Sequence, residues 1–109
     1  MGSRLKLQKE LEEVLGTAGL PKEKTRVYFQ PPSSTKLEYP CIIYELSRTD
    51  VTPADNIKYK KFNEYHVKHL FKSLKNELKD KMLDHFYHIS HDIRFISNSI
   101  YNDDFTLYY

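Results

Sequence analysis

The sequence predicts an α+β domain: an N-terminal helix, an antiparallel-rich sheet of four or five strands, and a second helix before the last strands. Three observations predict it. Leu5, Leu7, Leu11, Val14 and Leu15 recur near helical spacing at the start of the chain. Val27–Phe29 and Cys41–Tyr44 are β-branched and aromatic runs bounded by Pro, Ser and Thr, which is how strands are punctuated. From Asp92 to Tyr109 the chain returns to short apolar and aromatic runs. A helix, several strands, a helix and more strands give the α+β class. With 109 residues there is room for one domain, 1–109, and one modest core.

In the first helix Lys6, Lys9, Glu10, Glu12 and Glu13 occupy the face opposite the leucines, so the segment is amphipathic. Ser3 is placed as its N-cap and Gly16 as its stop. Thr17 to Thr25, with Gly19 and Pro21, reads as a connection. Strand one is expected over Arg26 to Gln30 and strand two over Cys41 to Arg48. Pro31, Pro32 and Pro40 have no backbone N–H to give to a ladder. The bridge from Pro31 to Pro40 is therefore expected to be a semi-rigid surface loop. Thr49 to Lys58, with Pro53, Asp55 and Asn56, reads as an exposed loop leading into strand three at Tyr59.

Beyond Val67 two readings stand. Val67, Leu70, Phe71, Leu74, Leu78 and Met82 form a helical stripe with no Gly or Pro to interrupt it. One long helix from about Tyr65 accounts for them. A strand ending near Leu70, then a helix from about Ser73 to His88 capped by Ser73, also does. In the last part Arg94 to Ile96 reads as a short strand. Ser97-Asn98-Ser99 and Asn102-Asp103-Asp104 read as turns around Ile100-Tyr101, and Phe105 to Tyr109 as a final strand. So apolar an end is expected to dock against the body.

Composition narrows the function classes. Seventeen basic and 15 acidic side chains leave a net charge of +2, below the basic excess usual for nucleic-acid domains. Lys58, Lys60 and Lys61 cluster, as do Lys72, Lys75, Lys79 and Lys81, but Glu77, Asp80 and Asp84 interleave with the second group. A solvated helix face explains those charges better than a DNA site does. Cys41 is the single cysteine, so no internal disulfide forms, and its apolar setting suits a small buried hydrophobe. No run approaches the roughly 18 apolar residues of a membrane span, and no apolar stretch follows the basic residues near the start. A soluble protein of a reducing compartment is the expectation.

Chemistry is hard to find. His85, His88 and His91 are spaced by three, as are His66 and His69, yet neither set matches a zinc motif. Histidines bordering an aromatic core edge are the simpler reading, so no metal and no cofactor is expected. Cys41 lacks a base nearby in sequence, and the glycines Gly2, Gly16 and Gly19 form no phosphate cradle. Glu12-Glu13 and Asp103-Asp104 read as helix-surface and turn residues rather than acid/base pairs. Enzymatic activity is disfavoured. Nine Tyr and six Phe suit a small chain that gains buried surface by assembly.

The run Val-Tyr-Phe-Gln-Pro-Pro at 27–32, then Leu-Glu-Tyr-Pro-Cys-Ile-Ile-Tyr at 37–44, resembles the small tail-terminator (tail-completion, head–tail joining) proteins of long-tailed bacteriophages and prophages. Ala54-Asp55-Asn56 with Tyr59, the Tyr65-His66-Val67 segment, and the closing Phe105-Thr106-Leu107-Tyr108-Tyr109 are similar to the same group. The resemblance spans nearly the whole chain, and the order and spacing of its pieces carry it. It implies a sheet flanked by helices and a ring, usually of six copies. Such a ring caps the finished tail tube, stops its growth and presents the surface to which the filled head attaches. The implied partners are further copies of the chain, the tail tube protein and a head-completion protein. The implied locations are the virion neck and, during assembly, the host bacterial cytoplasm. Neither a membrane nor a small-molecule substrate is implied.

Residues 68–76 depart from the family pattern, in which strand three runs on as a β-branched pair before an acidic, proline-containing turn. The family order nevertheless puts the strand's end near Leu70. Two loops are the candidate contact regions for neighbouring subunits or the tube. From the first come Gln30, Pro31, Pro32, Ser33, Ser34 and Lys36, and from the second Pro53, Asp55, Asn56 and Lys58. Polar, proline-bearing loops suit pre-ordered contacts. Another neck component, a head-completion or adaptor protein, is the alternative within the same class. A small nucleic-acid-binding regulator is the alternative outside it.

Overall fold

A computed structural model describes residues 4–17, 25–53 and 59–109. In chain order these form α1 (Arg4–Gly16), β1 (Arg26–Phe29), β2 (Cys41–Pro53), β3 (Tyr59–Phe71), one 3-10 turn (Leu74–Asn76), α2 (Lys79–His85), β4 (Ile89–Ser97) and β5 (Ile100–Tyr108). The five strands make one mixed sheet in the order β1-β2-β3-β5-β4. All neighbours are antiparallel except β1 and β2, which run parallel. The expected α+β architecture is the one observed.

Helix α1 forms where the leucine spacing predicts, and it ends at Gly16. Leu7, Leu11, Val14 and Leu15 are buried while Leu5 stays outside. Each fully buried leucine contributes roughly 1.5–3 kcal/mol relative to exposure. The Ser3 cap lies outside the described residues. The buried face of α1 meets Ile42 and Tyr44 of β2, Tyr65 and Val67 of β3, Phe105 and Leu107 of β5, and Leu78, Met82 and Phe86 around α2. Polar contacts fix the helix over the β1 and β2 edge. Gln8 donates to the Val27 carbonyl at 2.9 Å and accepts from the Tyr44 hydroxyl at 2.6 Å. The Arg4 guanidinium lies 4.5 Å above the Phe29 ring.

Three expectations need correction. Strand two does not stop at Arg48, and Thr49 to Pro53 is strand rather than loop: β2 runs on, paired residue by residue with β3 from Thr49↔Asn63 to Pro53↔Tyr59. Pro53 is tolerated because it is the last strand residue, where a missing donor costs least. Of the two readings beyond Val67, the long helix from Tyr65 is absent and the strand ending near Leu70 is the one observed, since β3 continues to Phe71. Its helix-like stripe arises because this end of the strand is buried on both faces. Val67 and Phe71 face the helices, while Leu70 sits opposite Cys41 on the other side, both buried.

The helix expected over Ser73 to His88 is broken into the 3-10 turn and the seven-residue α2. Ser73 does act as a cap, its hydroxyl accepting from the Lys75 N–H at 3.2 Å, but for the 3-10 turn. Glu77 follows that turn in extended conformation and points its carboxylate to Arg94, 3.2 Å away. Finally, Asn102-Asp103-Asp104 is not a turn but the middle of β5, opposite Leu70, His69 and Lys68 of β3. The only turn in that hairpin is Asn98-Ser99, both with positive φ, 52° and 63°. That is the two-residue connection whose twist matches antiparallel strands.

The C-terminus docks as expected. β5 lies between β3 and β4, the Tyr109 ring meets Phe86 edge-on, and the Tyr109 hydroxyl donates to Glu10 of α1. Both helices thus cover one face of the sheet. The other face is left largely open.

Candidate assembly surface

On its open side the sheet presents residues of the opposite parity to the core: Ile43 and Glu45 of β2, His66 and Lys68 of β3, Asp104 and Thr106 of β5, and Ile93 and Phe95 of β4. Alternation along a strand enforces this, because Tyr44, Val67 and Phe105 are committed to the core. The bridge between β1 and β2 borders this face. A groove of about 330 Å³ runs between them, lined by Gln30, Pro31, Pro32, Ser33, Thr35 and Leu37 from the bridge and by Ile43, Glu45, His66 and Lys68 from the strands. A smaller hollow of about 170 Å³ shares His66 and Lys68 and extends to Asp92 and Asp104.

The bridge is held by specific contacts. Gln30 takes a positive φ of 44°, and its N–H donates to the Tyr44 carbonyl at 2.9 Å. Its side-chain oxygen accepts from the Leu46 N–H at 3.2 Å, so one residue continues the β1 edge for two more positions of β2. A turn brings the Thr35 N–H to the Pro32 carbonyl at 2.9 Å, with Ser33 and Ser34 at its tip. Arg26 clasps Glu38 at 2.7 Å, and the Lys72 ammonium lies 5.5 Å from the Tyr39 ring. Prolines and these clasps make a pre-shaped wall.

The second feature is an arm. β1 ends against Tyr44, and β5 ends against Glu64. Past those points only β2 and β3 continue, as Thr49–Pro53 paired with Tyr59–Asn63. At its root the register shifts between Leu46 and Arg48, a bulge of the kind that re-aims a strand. Glu64 ties the root together: it accepts from the Tyr108 hydroxyl at 2.9 Å and meets Arg48 at 3.4 Å. The Tyr108 hydroxyl first, with Ser47 and Arg48 adding, holds the Glu64 carboxyl below the usual carboxylate range. The Tyr109 N–H donates to the Asn63 carbonyl at 2.9 Å, and the Thr49 hydroxyl to Asn63 Oδ1 at 3.0 Å.

The structure thus brings Gln30, Pro31, Pro32 and Ser33 together on the groove, with Ser34 and Lys36 exposed on the same bridge. Pro53 lies at the end of the arm's first strand, and Asp55, Asn56 and Lys58 lie outside the described residues. Ile43, Glu45, His66 and Lys68 were not anticipated as part of the surface. For His66 and Lys68 the sequence did hold a signal, as the polar positions that alternate with Tyr65 and Val67.

The histidines are dispersed. His85 meets Glu10 of α1 at 3.1 Å, and His91 meets Asp103 at 3.1 Å. Asp103 is buried and is held by Arg94 through two contacts of 2.6 and 2.7 Å. Burial by itself would raise the Asp103 carboxyl, but Arg94 and His91 outweigh it and hold it below the usual range. Beside it His69 is fully buried, stacked 4.6 Å from Phe71, and neither ring nitrogen has a hydrogen-bond partner among the described residues. Burial lowers His69 to about 4, with Asp103 opposing and Arg94 assisting. Cys41 is buried, and desolvation pushes its thiol up to about 12 despite nearby Arg26, so it is no thiolate nucleophile near neutrality. Asp103, Arg94 and His91, with Glu77, hold β4, β5 and the segment after the 3-10 turn together.

No protein-family profile matches the chain, and no curated protein matches it.

Proposed function

We propose that this protein is a structural assembly protein that caps the completed tail tube of a long-tailed bacteriophage or prophage. In this reading it stops tube polymerisation and offers the joining surface for the head, acting as a ring without enzymatic chemistry and without a cofactor. Its partners are copies of itself, the tube protein and a head-completion protein, in the virion neck and in the host cytoplasm during assembly. The observation that carries this reading is the arm. A two-stranded ribbon exposes backbone donors and acceptors along both edges and is marginal by itself. Such a ribbon, held rigidly at its root by Glu64, Tyr108 and Arg48, is suited to contacts with another subunit. The resemblance of residues 27–44 and of the closing strand to tail terminators supplies the identity of the assembly.

The test is direct. Tube protein is polymerised with and without this chain, and tube lengths and ends are scored by electron microscopy. Shorter tubes carrying density at one end are expected. Tubes of unchanged length with bare ends at a molar excess of the protein would reject the reading.

A further inference from the structure

We infer that the trench on the open face of the sheet receives the arm of a neighbouring copy of this chain. The inference rests on the ring reading above and names the two surfaces that meet in it. The trench combines the groove and the adjoining hollow, which share His66 and Lys68 in their linings. It crosses β2, β3, β5 and β4, three inter-strand spacings or about 14 Å. The arm has five paired residues on each strand, which at strand rise is about 17 Å. The lengths match.

The charges match as well. Along the trench lie the carboxylates of Glu45, Asp92 and Asp104, against the single full cation of Lys68. Asp92 is occupied by Ser90 and by Thr106, at 3.1 and 2.6 Å. Asp104 differs: its Oδ1 is buried and has no hydrogen-bond partner among the described residues. A buried carboxylate oxygen without a donor is costly, and a cation or N–H brought in from outside relieves that. The paired strands of the arm, 49–53 and 59–63, carry Lys60 and Lys61 against Asp50. The arm is the basic partner that an acidic trench calls for.

A chain cannot fill its own trench. The arm continues β2 and β3 outward past the end of β5, so it cannot also lie across the middle of those strands. The contact is between copies, and it joins unlike surfaces. Head-to-tail contacts of this kind close into a ring when the rotation between neighbours closes.

Light scattering on the full chain across a concentration series, at low and moderate salt, tests this. The native protein is expected to assemble, and moderate salt to raise the concentration needed. Lys60→Glu with Lys61→Glu, or Glu45→Lys with Asp104→Lys, should each raise the half-assembly concentration about ten-fold or more. Circular dichroism checks that both variants remain folded. All four changes in one chain should recover assembly. Mixing the two variants should likewise restore assembly, in alternating order, because the native arm of one meets the native trench of the other and the reversed arm meets the reversed trench. A native chain that stays monomeric throughout, or variants that assemble like the native chain, overturn the inference, and in the latter case the trench is left for a tube segment. Tube capping is scored separately. Unchanged capping by variants that assemble normally sinks the docking surface alone, whereas normal arm-dependent rings that never bind tube ends sink the tail-terminator reading alone.

Discussion

Asp103 and His69, neighbours across β3 and β5, show two ways of burying a polar side chain. Asp103 keeps its charge because Arg94 and His91 surround it. His69 gives up its charge because burial disfavours the charged ring and, among the described residues, no hydrogen-bond partner reaches it. Replacing Arg94 by Ala leaves the carboxylate buried with His91 as its remaining partner, and should cost about 3 kcal/mol in urea denaturation. A loss under about 1 kcal/mol would mean that Asp103 is rehydrated instead. For His69 the sign follows from proton uptake. The unfolded chain binds a proton through about 6.5, whereas the folded chain resists until about 4. Stability therefore falls as pH descends through that window. Between pH 6.5 and 4.5 this amounts to about 2 kcal/mol. In His69→Leu that part of the acid loss should vanish, as denaturation curves at the two pH values will show. Asp103 acts lower: its stabilisation is present above the unfolded carboxylate range and is lost as pH falls through its depressed folded value.

Among the elements, the β4–β5 hairpin is the most locally specified. Its two-residue turn demands left-handed backbone at both Asn98 and Ser99. Asn accepts this conformation readily, but Ser does not. Ser99→Gly should stabilise the protein by about 0.5–1 kcal/mol, read as a higher thermal midpoint, and a lower midpoint would show that the Ser99 side chain contributes something the turn geometry does not. The second helix is an element that local pattern overstated. Its apolar stripe is real, with Leu78 and Met82 both buried, but Glu77 interrupts the helix to reach Arg94. A side chain from β4 thus limits a helix more than ten residues earlier in sequence.

For the whole molecule, the sheet divides into a five-stranded body under two helices and a two-stranded arm beyond it. The body holds the buried core and should not depend on the arm. Removing residues 49–63 and joining Arg48 to Glu64 through Asn-Gly suits the register, because those two residues are already cross-strand partners. The shortened chain should keep its far-ultraviolet circular dichroism and a thermal midpoint within a few degrees of the native protein. A collapse of the midpoint would make the arm part of the folding unit and weaken its assignment to assembly.

Some of this organisation was written in the sequence alone. The leucine spacing of residues 5–15, the stop at Gly16, the apolar starts of β1 and β2 and the docking of the closing aromatics depend on local periodicity and on hiding apolar surface. Local residues suffice for both. The tertiary structure decided what depends on distant partners. β5 runs through Asn102-Asp103-Asp104, residues that locally favour a turn, because Arg94 and His91 meet Asp103 across the sheet. β3 runs to Phe71 because Leu70 finds Cys41 on the far face, a burial on both sides that imitates a helix in one dimension. Thr49–Pro53 became an arm because Tyr59–Asn63 supplies its ladder, and the groove exists because the bridge borders Ile43 and Lys68. Period and composition report how a residue meets its nearest neighbours in the chain. Pairing across the sheet is settled by which hydrogen bonds and buried charges are satisfied together, and that required the folded molecule.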